Sequence, residues 1–554
     1  MNDNATSQAD QVVASAERIQ KLNDIGIALS AERDANRLLE TILLGAKELT
    51  NADAGTMYTV TEDHELKFEI IRTDSLGIAM GGTTGIPINF PNLPLYRDGE
   101  PNLKMIAAYA ALREETVNLP DAYEAEGFDF AGTRAFDSKT GYRSKSFLTV
   151  PLKNHESEII GVLQLINAKD PNTDEVRAFG PEDTQLAESL ASQAAISLTN
   201  QKLITDLKLL FESFIQTIAS AIDDKSPYTG GHCHRVPVLS DMLMRAVNDS
   251  DIGELKDVNL TEEQLYEMKI AAWLHDCGKV VTPEYVVDKS TKLETIYDRV
   301  HMVDTRFEVL KRDIEIKMLK RKLRAVQANT PEIIPQLEKE YKERAEALDS
   351  DREFIRTCNV GGEFMSDELK NRVKSIGARS WTGPDGKAQN FLSENEVYNL
   401  CISRGTITNE ERDVINHHVT ATLKMLNAIP FPKHLAKVAE IAGAHHEKLD
   451  GTGYPNGLVK DQMSIQARVL AIADVFEALT ARDRPYKKGK PLSQALKILG
   501  FMKKDQHIDP DLFQVFIDQK VYQDYAEQYL GEEQIDEVIA EKIPGYEAVT
   551  SDSA

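Results

Sequence analysis

The chemistry in this chain is concentrated where histidines adjoin other histidines or carboxylates. Segment 273–279 reads WLHDCGK and pairs His275 with Asp276. Segment 445–455 reads HHEKLDGTGYP and pairs His445 with His446 before a glycine-rich turn. His417 and His418 form a second histidine pair. Segment 232–236, HCHRV, offers His232 and His234, and segment 473–480, ADVFEALT, offers Asp474. Imidazole nitrogen is a borderline donor, and a carboxylate can bridge two cations. Adjacent positions on a helix lie about 100° apart, so His275 and Asp276 can reach one or two neighbouring ions from a single turn. An isolated histidine on a helix is usually a satisfied structural group. Here histidine or aspartate recurs in separate apolar segments, and unpaired ionisable groups in a core cost several kcal/mol. A dinuclear metal centre uses all of them, and that is the expectation.

The elements that must present these residues fill the C-terminal half. The apolar stretches around the five segments predict an all-α domain. Segment 226–236 breaks the chain with a proline and two glycines before a new helix. Between about 294 and 405 the pattern changes. Segments 307–328 and 331–349 are highly charged and helical, joined at 329–331, and predict an antiparallel hairpin. The polar stretch to about 390, containing WTGPDGK at 381–387, predicts a loop or ribbon. The charge runs are read most simply as a solvated face; covering the active site or binding a partner is the other reading.

The N-terminal half has a different rhythm. Residues 1–18 are small and polar and read as a frayed helix or tail. Leu39, Ile42, Leu43 and Ala46 share one helical face. Segments 54–60, 66–71, 146–152 and 159–166 read as strands, with a turn at 154–157. Helix, strands, long loop, hairpin and closing helix make an α+β domain. From about 182 to 222 the chain reads as one long helix. Leu203, Leu207, Leu210 and Phe214 repeat at 4-3-4 spacing, a short heptad seam. That seam either packs on its own domain or joins two copies in a homodimer and relays a twist or register change.

Bulk properties narrow the function classes. The 554 residues carry a net charge of −25, with 42% hydrophobic and 28% charged residues. Such a balance argues against a nucleic-acid polymer or an anionic membrane as general partner. No apolar run approaches the roughly 18–20 residues needed to cross a bilayer, and the first residues lack a basic and apolar leader, so a cytoplasmic location is expected. Cys233, Cys277, Cys358 and Cys401 form no CxxC pair and are expected as free thiols.

Two resemblances follow from these residues. Segments 136–146, 150–152 and 161–167 resemble a GAF domain of the kind found in cyclic-nucleotide phosphodiesterases and cyclases, over roughly 19–200. The resemblance implies a sensor domain with a small ligand. Asn167, Lys169, Phe179 and Asp183 approximate its cyclic-nucleotide signature, with the lysine displaced by one place and Thr184 at the final acid. His232, Arg235 and Val236, then His275 to Lys279, His445 to Pro455 and Asp474 to Thr480, followed by Arg484, Pro485 and Tyr486, resemble the HD-GYP subclass of the HD phosphohydrolases.

What this second resemblance implies is specific. Its metal ligands fall on His232, His275, Asp276, His418, His445, His446 and Asp474. Asp276 would bridge two divalent ions, iron or manganese, with His232, His275 and Asp474 completing one site and His418, His445 and His446 the other. Family spacing favours His232 over His234, and His418 over His417 and over His301. Tyr228 stands where some members have a glutamate for a third metal, which favours two ions. The implied substrate is the bacterial second messenger cyclic di-GMP, opened to pGpG and further to GMP by attack of a water activated between the metals. Lys279 would stabilise phosphoryl charge, Arg235 would contact a phosphate or brace its helix, and the Gly453–Tyr454–Pro455 loop would flank the site and contact partners such as a diguanylate cyclase. The alternatives are another cyclic dinucleotide such as cyclic GMP-AMP, or a non-catalytic signalling adaptor acting through that loop. The expected organisation is a tail (1–18), a GAF sensor (19–200), a connecting helix (201–222), an HD-GYP domain (223–530, insertion about 294–405) and a C-terminal tail (531–554).

Overall fold

The computed structural model describes residues 2–225, 231–362, 364–482 and 489–548, with side chains from residue 16 onward. The sequence readings of Tyr228 and of Arg484, Pro485 and Tyr486 lie outside the described residues. The chain divides into two compact units, 1–210 and 211–554.

The first unit is built on an antiparallel sheet. Its central path runs Ile78–Gly81, Glu65–Thr73, Ala52–Val60, Ile159–Lys169, Phe147–Lys153, Val117–Leu119. Register is fixed by the side-chain alternation of strands. Met57 opposes Leu163, and Leu163 opposes Val150. All three are buried in a core with Leu39, Ile42 and Leu43. Those last residues come from helix Ala35–Thr50. Asp34 starts it by accepting a bond from the Arg37 N–H, and Asn51 stops it in the left-handed conformation. The opposite face of the sheet lines a cavity of about 370 Å³, walled in part by Tyr58, Phe68, Phe130, Phe147 and Gln164. None of the four approximate signature residues lines it. Asn167 accepts from the Lys145 N–H at 2.7 Å, Lys169 pairs with Asp53 at 2.8 Å, and Asp183 accepts from the Gly180 N–H at 2.8 Å. These groups organise loops.

One helix, Pro181–Asp223, spans the boundary region. Along it Leu203, Leu207, Leu210 and Phe214 are each more than half exposed. The seam is thus largely uncovered among the described residues.

The second unit is helical, apart from a short ribbon. Helices His232–Asn248, Glu262–Leu274, Asn409–Leu426, Val438–Gly443 and Ile465–Thr480 carry or flank every paired histidine and Asp474. Local sequence sets their starts. Thr261 with Gln264, and Thr408 with Glu411, form reciprocal capping boxes. The insertion has the expected helical hairpin, Val300–Gln327 with Ile334–Val360. It also has a core of its own, including Leu293, Phe307, Ile355, Val373, Ile376 and Phe391. The ribbon is present as strands Ser380–Thr382 and Ala388–Asn390. Helix Asp367–Gly377 stands where a polar loop was expected. Ser366 caps it, and its few apolar residues, Val373 and Ile376, are buried against Phe391. No helix among the described residues is long and apolar enough to cross a membrane.

Candidate metal centre

The paired residues converge at the junction of those helices. His232 opens its helix, His275 caps the end of Glu262–Leu274, and Asp276 begins the following tight turn Cys277–Val281. His418 lies midway along Asn409–Leu426, His445 and His446 follow Val438–Gly443, and Asp474 lies within Ile465–Thr480.

Two clusters of ligand-type atoms result. His232, His275 and Asp276 form one, and His418, His445 and His446 the other. Asp276 faces both. Its Oδ2 lies 3.4 Å from His232 Nε2 and 3.3 Å from His275 Nε2, while its Oδ1 lies 3.3 Å from His418 Nε2. Asp474 Oδ1 is 3.3 Å from His232 Nε2 and 3.8 Å from His275 Nε2, so it joins the first cluster. Lys279 Nζ sits 2.5 Å from Asp276 Oδ2.

The imidazoles are oriented by one repeated device. His275 Nδ1 faces Ala272 O at 2.7 Å, His418 Nδ1 faces Ile415 O at 2.5 Å, and His445 Nδ1 faces Ala442 O at 2.6 Å. A carbonyl accepts only, so each Nδ1 carries its proton and leaves the Nε2 lone pair for an ion. His232 follows the same rule with a side chain: its Nδ1 is bonded to the Glu477 carboxylate. The Nε2 atoms of His418 and His445 are fully buried without a hydrogen-bond partner. Orphaned buried acceptors of this kind fit a cation.

The electrostatics divide by cluster. Burial lowers His445, helped by His446 and His275, and burial lowers His446 to about 4. Both are neutral and ready to ligate. Burial also acts to lower His275, but Asp276 and Asp474 raise it to about 9. Burial is likewise outweighed at His232, which Glu477, Asp276 and Asp474 raise well above the ordinary range. Asp276 and Asp474 are held well below the carboxylate range against the cost of burial, by Lys279, His275 and His232 for the first and by His232 and His275 for the second. Burial pushes the Cys233 thiol well up and Cys277 to about 11, so both stay protonated packing groups. All four cysteines are free.

The competing histidines lie elsewhere in their elements. His417 and His301 are exposed. His234 is exposed and contacts Ser220 Oγ through its Nε2. Arg235 turns its Nε to Glu477 at 2.7 Å, which braces the group that holds His232.

The 447–458 loop closes one side. Glu447 is buried and accepts from the Asn456 and Leu458 N–H groups at 2.7 and 3.0 Å. Tyr454 stacks on His446 with ring centroids 4.9 Å apart. A Cβ at Gly453 would lie 2.3 Å from Lys448 N and 2.5 Å from Glu447 Cα, so only glycine lets this strand of the loop approach. Glu477 and Glu447 were not singled out by sequence reasoning. Each sits inside a motif, yet each acts on a partner revealed only by folding. Glu477 lies three residues after Asp474 on the same helix, one turn on, and that spacing is the available signal.

Comparison with known proteins gives two matches along the chain. A GAF domain family matches residues 34–198, and an HD domain family matches residues 394–512. The second range holds His418, His445, His446 and Asp474; the upstream cluster precedes it. The chain is 40% identical over 111 residues to 3'3'-cGAMP-specific phosphodiesterase 3 of Vibrio cholerae, covering 20% of this chain and 23% of that protein. It is 36% identical over 113 residues to cyclic di-GMP phosphodiesterase PA4108 of Pseudomonas aeruginosa, covering 20% and 26%. It is 27% identical over 227 residues to a cyclic di-GMP phosphodiesterase of Thermotoga maritima, covering 38% and 58%. The aligned part thus spans from about a quarter to 58% of these relatives' lengths.

Proposed function

We propose that this chain, in which a GAF domain is followed by an HD domain, is a metal-dependent phosphodiesterase that opens cyclic di-GMP to linear pGpG. The observation that carries the reading is the division of Asp276: one carboxylate oxygen faces His232 and His275, and the other faces His418. That is the arrangement a carboxylate shared between two ions requires.

The residues would hold two divalent cations, one by His232, His275 and Asp474, the other by His418, His445 and His446, with Asp276 common to both. Iron or manganese suits this histidine and carboxylate set. Such ions supply hydroxide near neutral pH and neutralise charge on a phosphodiester. The chain's own groups do the rest. Glu477 and the three carbonyls fix the imidazole faces. Lys279 is partly exposed beside Asp276 and is the cation available to a phosphoryl oxygen. The aromatic face of Tyr454, stacked on His446, with Gly453 and Pro455, borders the substrate. Arg235 acts as a brace through Glu477.

Cyclic di-GMP is favoured by the names of the Pseudomonas and Thermotoga relatives and by the Gly-Tyr-Pro loop. The Vibrio relative's name supports a second reading, hydrolysis of 3'3'-cyclic GMP-AMP. Parallel turnover of the two dinucleotides by the metal-loaded protein, with product identification, separates them. Regulation would come through the GAF cavity, whose aromatic walls and Gln164 suit a small planar ligand. The exposed seam Leu203, Leu207, Leu210 and Phe214 supports a homodimer. The sensor would span residues 19–200, the connecting helix 201–222 and the catalytic domain 223–530.

A further inference from the structure

The end of the long helix Pro181–Asp223 is tied to two different pieces of the metal centre. Lys225, two residues beyond it, uses its ammonium on three main-chain carbonyls: Lys279 O at 3.2 Å, Val280 O, and Thr282 O at 2.8 Å. These carbonyls belong to the turn that begins at Asp276 and bears Lys279. They lie at its C-terminal end, where carbonyls carry partial negative charge and a cation is stabilising, and Lys279 O also accepts the Thr282 N–H at 3.0 Å. An ammonium has three donors, so the group is fully committed to the turn.

The other side of the same turn rests on the helix that carries His418. The Gly278 N–H donates to Thr422 Oγ1 at 2.9 Å, and that hydroxyl donates to His275 O at 3.1 Å. A Cβ at Gly278 would lie 1.9 Å from His418 O, so the two backbones are in close contact. Thr422 therefore holds the turn from within the centre, and Lys225 holds it from the connecting helix.

The second tie reaches His232. The Asp223 carboxylate, 4% exposed, accepts from the Cys233 N–H at 3.1 Å. A carboxylate there caps a helix that starts at His232 and stabilises its positive end. Ser220, one turn earlier, contacts His234 Nε2 at 2.9 Å. Within a few residues, one helix end holds the first turn bearing His232 and the turn bearing Asp276 and Lys279.

We infer that Lys225 and Asp223 are positioning residues, through which the end of the connecting helix sets Lys279 and His232 relative to each other. The inference rests on the phosphodiesterase reading for its catalytic consequence, while its structural content is independent of it. A shift of the helix end would withdraw Lys225 from the three carbonyls and let the Lys279 turn move, without removing any metal ligand.

The test uses the full-length, metal-loaded chain and the variants Lys225→Met, Lys225→Arg and Asp223→Asn. Amide hydrogen exchange, bound metal, and kcat and KM on cyclic di-GMP are measured, with bis(p-nitrophenyl) phosphate as a second diester. Lys225→Met is expected to speed exchange across 277–285 selectively, leave metal content unchanged, and lower kcat by about 10- to 100-fold with KM little altered. Lys225→Arg, whose planar fork cannot address three carbonyls as a tripod, should be intermediate. Asp223→Asn keeps an acceptor for the Cys233 N–H and should be milder. Unchanged exchange at 277–285 in Lys225→Met would overturn the inference, as would an activity loss that tracks loss of metal or exchange raised evenly across the chain. If the unsubstituted protein cleaves neither diester, the phosphodiesterase reading fails; the exchange comparison then still decides the positioning role.

Discussion

Glu477 is bonded to the Nδ1 of His232, one helical turn beyond Asp474, and this fixes which nitrogen of His232 faces the cluster. The same carboxylate takes the Nε of Arg235, so a buried acid, an imidazole and a guanidinium form one chain. Removing an outer partner of a ligating histidine commonly costs about 10- to 100-fold in metal affinity or activity. Glu477→Gln is therefore expected to weaken metal retention by that factor against a competing chelator while the helical circular dichroism is kept. Retention equal to the parent protein would remove Glu477 from the account.

In the proposed function Asp276 would hold metal and Lys279 would stabilise charge, and substitution tells the two roles apart. Asp276→Ala should deplete both ions together, read as metal per chain by mass spectrometry. Lys279→Met should keep the metal and lower kcat by about 10²- to 10³-fold, the usual cost of losing one preorganised electrostatic group. Loss of a single ion in Asp276→Ala would argue against a shared carboxylate.

In the metal-free protein the joint contribution of His446 and His275 to stability should be greatest near pH 6.5. His446 is lowered to about 4 in the fold, against about 6.5 in the unfolded chain, so its contribution is complete above 6.5 and is lost as pH falls toward 4. His275 is raised to about 9; its contribution is complete below about 6.5 and is lost as pH rises through 9. Thermal unfolding scans across this range check the prediction. Metal loading should abolish the alkaline decline, because the ions replace those protons. A metal-free Tm that climbs steadily from pH 6.5 to 9 would contradict it.

Gly453→Ala tests the loop. The added methyl meets backbone atoms of Lys448 and Glu447, and overpacking of this kind costs about 1–3 kcal/mol. The Tm should fall, and KM for the dinucleotide should rise more than kcat falls, because Tyr454 is displaced from His446. An unaltered Tm would mean that the loop relaxes freely.

The sequence made much of this arrangement legible, for definite reasons. His275 with Asp276 and His445 with His446 stand out because adjacent ligand-type residues at the ends of apolar helices have few other uses. The long helix ending at Asp223 shows its heptad spacing directly. Other features were hidden because their meaning is tertiary. Glu477 looks like an ordinary helix acid until His232, 245 residues earlier, folds against it. Lys225 looks like a solvated lysine until three carbonyls of another segment surround it. The insertion reads as a charged surface because its core residues, such as Phe307 and Phe391, are spread thinly among charges and meet only after the hairpin closes. Helix Asp367–Gly377 carried a legible signal, a serine cap and Val373 and Ile376 three apart, but its polar composition outweighed it.

Two ions sharing Asp276 are proposed to serve hydrolysis of a cyclic dinucleotide. The direct measurement is incubation of anaerobically purified protein, with metal per chain determined beforehand, with cyclic di-GMP, followed by mass identification of the products. The account predicts two ions per chain and release of linear pGpG, lost in Asp276→Ala. Protein that holds two ions and leaves both cyclic di-GMP and 3'3'-cyclic GMP-AMP intact would contradict it.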